Sequence, residues 1–167
     1  MRSIILPAAV VLVSACVAET ETATHTAHDD SAFSALQERG ASPEAMGVDQ
    51  YASAHMFDDL PDGGRIELQD TAGDDSAIAT IRAHMQEIAT AFAAGDFSTP
   101  GFVHGMDEVP GTRVMAEMRD VIRYDYAPLP RGGAVRITTN DPDALQAIHE
   151  FLAFQRMDHR AAGHEMH

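Results

Sequence analysis

The feature that most constrains this chain is an internal repeat. From Leu60 the sequence runs LPDGGRIELQDTAGDDSAIATIRAHM, and from Leu129 it runs LPRGGAVRITTNDPDALQAIHEFL. Leu-Pro-x-Gly-Gly recurs 69 residues on, and Ile66 and Leu68 then fall on Val135 and Ile137. After a two-residue shift in the next loop, Ile78 and Ile81 fall on Leu145 and Ile148. A shared apolar pattern on both sides of the shared motif points to duplication of one supersecondary unit.

Each copy predicts a hairpin followed by a helix. Gly63-Gly64 and Gly132-Gly133 are expected to supply the positive φ angles of tight hairpins. Ile122, Tyr124 and Tyr126 alternate with Arg123 and Asp125, giving a strand with one apolar and one charged face. The first helix is expected to start at Asp74-Asp75-Ser76, to bury Ile78, Ile81, Met85, Ile88 and Phe92, and to stop at Gly95. The second takes Asp141 as N-cap and Pro142 at N1, and buries Leu145, Ile148, Leu152 and the stem of Gln155. The expected fold class is α+β, a duplicated ββα unit forming a four-stranded antiparallel sheet with two helices packed on one face. The other face, with Arg65, Glu67, Arg123, Asp125 and Arg136, is expected to be solvated and charge-paired.

The amino terminus predicts a compartment. Met1 and Arg2 precede an apolar run of about ten residues, too short to span a bilayer and of the length of a signal-peptide core. Val13-Ser14-Ala15-Cys16 resembles the lipobox of bacterial lipoproteins. The resemblance implies cleavage before Cys16, lipid on Cys16, and a periplasm-facing chain on the cell envelope, with Val17 favouring the outer membrane. Cys16 is the single cysteine, so no intrachain disulfide forms and no other thiol serves as ligand or nucleophile. The expected organisation is a signal peptide at 1–15, a lipidated tether at 16–48 with a short helix near 31–39, the ββα-ββα domain at 49–160, and a flexible His/Met tail at 161–167. A net charge of −15 argues against a nucleic-acid partner and against a polybasic membrane patch, leaving the lipid as the membrane contact.

The sequence carries no G-x-S-x-G, H-E-x-x-H, P-loop, dinucleotide fingerprint or C-x-x-C-H. What it carries is nine histidines, six of them within two residues of a methionine. Imidazole with thioether is a ligand set suited to copper where thiols would oxidise. The candidate metal ligands are His55, His84, His104, Met106, His149 and His159. His55 aligns with Tyr124 and should face the helices. His84 and His149 flank the apolar stripes of the two helices. His104 and Met106 lie in the connection 97–113, expected to be a functional loop without secondary structure and anchored by Phe102 and Val103. Arg156 and Arg160, four apart on the second helix, are candidates for an anionic ligand or cofactor.

The stretch from Leu129 to His164, with FSTPGFVH and VPGT, is similar to a family of small uncharacterised bacterial envelope proteins. That resemblance implies no activity and nominates His104, His149, Glu150, Arg156, His159 and Arg160 as the cluster of interest. The expected function is a non-catalytic, envelope-anchored metal-binding lipoprotein, copper favoured. Two alternatives stand beside it. One is a module for a small ligand or haem, held by histidine and the Arg156/Arg160 edge. The other is an enzyme using His104 or His149 as general base, oriented by Glu150 or Asp158.

Overall fold

The computed structural model describes residues 18–161, with side chains from residue 30 onward. Cys16 with the lipobox-like stretch before it, and the His/Met tail from residue 162, lie outside the described residues. The chain divides into two compact units, Met1–Ala32 and Phe33–His167. The second unit holds the sheet and the sites discussed below.

Four strands, β1 (Ser53–Leu60), β2 (Gly63–Asp70), β3 (Ile122–Leu129) and β4 (Gly132–Thr139), form one antiparallel sheet in the order β1-β2-β4-β3. The helices are α1 (Ala18–Ala41), α2 (Asp75–Ala93), α3 (Ser98–His104), α4 (Thr112–Glu117) and α5 (Pro142–Asp158). The duplication is visible in the register. β1 pairs Ser53 with Asp70 and Leu60 with Gly63, and β3 repeats this 69 residues later as Ile122 with Thr139 and Leu129 with Gly132. At the centre, Ile66 of β2 pairs with its own repeat counterpart, Val135 of β4. A pseudo-two-fold axis therefore passes between β2 and β4.

The glycine pairs serve a different purpose from the expected one. Of the four, only Gly63 has a positive φ, at 147°. The two-residue turns are Pro61-Asp62 and Pro130-Arg131, where proline pre-sets its own φ. The glycines allow close approach instead. A Cβ on Gly63 would stand 2.0 Å from the Ile137 carbonyl oxygen, and one on Gly132 would stand 1.9 Å from that of Leu68. Gly64 makes room for Leu152, and Gly133 for Met85. The LPxGG motif is thus the packing joint between the central strands and the helices.

Both long helices start as expected. The Asp74 carboxylate accepts from Ala77 N–H, and the Asp141 carboxylate accepts from Asp143 and Ala144 N–H, contacts that satisfy otherwise orphaned amides. Gly95, at φ 80°, ends α2 with Asp96 N–H returning to the Ala91 carbonyl at 2.9 Å. Their inner faces close on Ile66, Leu68, Val135 and Ile137, with Ile81, Ile148 and Leu152 fully buried. Each such aliphatic side chain contributes about 1.5–3 kcal/mol through burial. On the outer face the charges pair as Arg65–Glu67, Arg123–Asp125 and Arg136–Asp62, although Glu67 and Asp58 are themselves buried.

Three features differ from the sequence reading. The tether is helical from Ala18, because nothing between Ala18 and Arg39 breaks a helix and alanine favours one. The compact unit begins at Phe33 rather than near Asp49, since Leu36, Gly40 and Met46 pack into it. Those apolar residues are too sparse to show a period. The 97–113 connection holds α3, which includes Pro100 and Gly101, and the start of α4. Val103 anchors it, but Phe102 is exposed.

Candidate functional site

A cavity of about 80 Å³ lies between β1, α2, α3 and the C-terminal end of α5, closed on one side by the segment from Gly40 to Gln50. Four of the expected ligands, His55, His84, His104 and His159, stand on its wall together with Met46 and Met85. They come from separate elements. His55 is on the helix-facing side of β1, beside buried Phe57. His84 follows the Ile81 turn of α2, His104 ends α3, and His159 is the C-cap of α5.

The rings form a row. His55 and His159 stack with centroids 4.8 Å apart and planes 21° from parallel, and His159 meets His104 edge-on at 5.1 Å. His84 is close enough to His55 to depress its protonation. Burial, then the neighbouring His84, pushes the His55 pKa down to about 4. Burial, then His55 and His104, pushes that of His159 down to about 2. Burial also lowers His84, offset in part by Glu87 and by a hydrogen bond from its ring N–H to the Ala45 carbonyl. These three imidazoles are therefore neutral at pH 7, each with a ring nitrogen lone pair, the state a metal ligand requires.

His104 is held differently. Its side chain is 1% exposed; its Nδ1–H donates to Asp158 Oδ2 at 2.5 Å, and its Nε2 stands 3.0 Å from Gln155 Oε1. With both nitrogens engaged it supports the site rather than presenting a free lone pair. Asp158 thus fixes one side of the His104 ring, and the Ala45 carbonyl one side of the His84 ring. Among the described residues no group of three or more His, Cys, Asp or Glu side chains is drawn together closely enough to hold a metal ion as they stand.

Two expected ligands lie elsewhere. Met106 is exposed in a separate surface groove beside Phe102. His149 Nε2 lies 3.0 Å from both the Leu60 and Gly63 carbonyls. The repeat explains it: His149 is the counterpart of Arg82, which binds the Leu129 and Gly132 carbonyls of the other hairpin. His149 is a hairpin clamp. Arg156 and Arg160 do not form a joint cationic edge. Arg156 donates to both Asp59 oxygens, at 2.7 and 3.0 Å, and to the Phe57 carbonyl, while Arg160 lies over the Phe33 ring. Glu150 is exposed and accepts from Gln146. Sequence reasoning missed Met46, Gln50 and the amide of Gln155. Gln155 was legible as a polar residue at the repeat position of buried Ile88.

The pseudo-two-fold axis supplies a control for the site. The counterparts of His55 and His159 are Tyr124 and Phe92, which meet edge-on at 5.8 Å. Phe92 also stacks on Phe97 at 4.5 Å. One half of the fold therefore fills these positions with aromatic packing and the other with imidazoles, and Phe92 and Ile88 line the cavity together with those imidazoles. Neutral imidazole buries less apolar surface than phenyl and carries two polar nitrogens that need partners. Compared with known families, characterised proteins and solved structures, the chain finds no match.

Proposed function

We propose that this is an envelope-anchored protein, lipidated at Cys16, that binds one soft metal ion, copper above all, between His55, His84 and His159 and a thioether of Met85 or Met46. The observation that carries the reading is the departure from the repeat. Three core-facing positions that hold Tyr124, Phe92 and Ile88 in one half hold His55, His159 and Gln155 in the other, around a cavity. Where local choices depart from what packing favours, function is the usual reason.

Ring spacing supports it. Two imidazoles on one tetrahedral ion at about 2.0–2.1 Å have ring centres about 5 Å apart, against 4.8 Å between His55 and His159. Rotation of rings already at that spacing would bring their nitrogens onto a common point. Sulfur and neutral imidazole favour Cu(I) over harder cations. The cavity of about 80 Å³ suits an ion better than haem, since pockets for drug-sized ligands run to about 300–1,000 Å³.

The test is anaerobic titration of the full chain with Cu(I) against a competing chromogenic chelator. The reading expects one equivalent bound, weakened at least tenfold by His55→Ala and by His84→Ala and unchanged by His149→Ala. No uptake, or equal losses in all three variants, overturns it.

A further inference from the structure

The wall of the cavity holds two amides with unpartnered ends. Gln155 and Gln50 are each 4% exposed, and both line the cavity. Neither Gln155 Nε2 nor Gln50 Oε1 has a hydrogen-bond partner. A buried unpaired donor or acceptor costs about 1–3 kcal/mol, so native interiors rarely leave one without a purpose. Here a donor and an acceptor are left on the same wall.

Their other ends are tied. Gln50 Nε2 donates to the Val48 carbonyl at 3.2 Å and approaches the Met46 sulfur at 3.7 Å. Gln155 Oε1 is taken by His104, which Asp158 holds in turn. With His104 donating from both ring nitrogens, Nδ1–H to Asp158 and Nε2–H to Gln155 Oε1, as the cationic half of an ion pair with Asp158, the amide NH2 is the end left over. The space is adequate: a single water needs about 10–15 Å³ on this measure, so a cavity of about 80 Å³ accommodates an ion and a molecule of a few heavy atoms.

We infer that the metal site is open, keeping one coordination position for an exchangeable small polar molecule of water to triatomic-anion size, which accepts a hydrogen bond from Gln155 Nε2–H. This rests on the metal-binding reading above and specifies what that site does beyond holding an ion. A closed site for storage alone would surround its metal with protein ligands and leave no polar group aimed at a further ligand. Asp158 and His104 are then positioning residues, acting through Gln155.

The test uses the full chain loaded with Cu(II) and titrated with azide, read as a ligand-to-metal charge-transfer absorption. Wild type is expected to develop a saturable band. Gln155→Leu removes the donor and is expected to weaken azide at least tenfold. Gln155→Glu keeps the size and the bond from His104 but turns an anionic oxygen toward the ligand, and is expected to weaken azide further. Azide affinity is read on the copper-loaded fraction of each variant, so a partial loss of folding in one leaves the other informative. Copper uptake with no azide band, or azide affinity unchanged in both variants, overturns this inference alone. Failure of the wild type to take up Cu(II) overturns this inference, and failure to take up Cu(I) as well overturns the metal reading with it.

Discussion

Substituting His159 by its repeat counterpart, His159→Phe, should make the metal-free protein more stable while removing its metal site. In the folded chain the His159 ring packs against His55 at 4.8 Å, Phe57 at 5.5 Å and His104 at 5.1 Å. Among the described residues it makes these ring contacts without a hydrogen bond. Its two ring nitrogens lose part of their hydration without a compensating partner, where a fully buried polar group costs about 1–3 kcal/mol. The ring is only partly buried, so the lower end applies. Phenyl removes that term and adds aromatic edge contacts of about 0.5–1.5 kcal/mol, and the adjoining cavity leaves room for the larger ring. The net expectation is about 1–2 kcal/mol of added stability. For a domain of this size that raises Tm by roughly 3–8 °C. Calorimetry of the full chain with chelator at pH 7.5 measures it. A Tm lowered by several degrees would refute the reasoning, because His159 would then be stabilising the apo fold and the departure from the repeat would be structural.

Stability should fall on mild acidification. His55 and His159 have folded-state pKa values of about 4 and about 2, below the unfolded value near 6.5. The unfolded chain therefore binds more protons, and stability present above about pH 6.5 is lost as pH falls toward the folded values, by up to about 1.4 kcal/mol per pH unit per histidine; denaturant midpoints from pH 7.5 to 5 should show this, and His55→Tyr with His159→Phe should flatten it. His149→Ala, which releases the Leu60 and Gly63 carbonyls, should lose about 1–2 kcal/mol in chemical denaturation, and His149→Arg should restore it by reproducing the Arg82 clamp. Gly132→Ala should cost more than about 3 kcal/mol, or prevent folding, because its Cβ would stand 1.9 Å from the Leu68 carbonyl; thermal melts decide this, with Gly73→Ala, which meets no atom but carries the backbone strain of φ 82°, as the comparison expected to cost about 1 kcal/mol.

Much of the fold was legible because the repeat constrained strand, turn and helix together. The 69-residue offset recurs in every pair of the two hairpins, and the two-residue shift before the helices holds down to the equivalent N-caps Asp74 and Asp141. What escaped was set by contacts distant in sequence. Leu36 and Met46 join the core from a segment with no apolar period, and α3 and α4 form in a stretch whose glycines and prolines, two of them within α3, mark a loop when seen alone. The site was legible in part for the same reason. His55 was placed toward the helices by alignment with Tyr124, whereas His149 could have been set aside by carrying that alignment to Arg82. Met106 was drawn in by its nearness to His104 in sequence, yet the turn at Gly105 carries it to the surface.

The central claim is that imidazoles from β1, α2 and the end of α5 close on one metal ion together with a methionine sulfur. X-ray absorption of the Cu(I)-loaded full chain tests it most directly. The account predicts two to three nitrogen neighbours at about 2.0 Å and one sulfur at about 2.3 Å, with the nitrogen count falling by one in His55→Tyr. A copper shell of oxygen neighbours alone, or one unchanged by His55→Tyr, would contradict it.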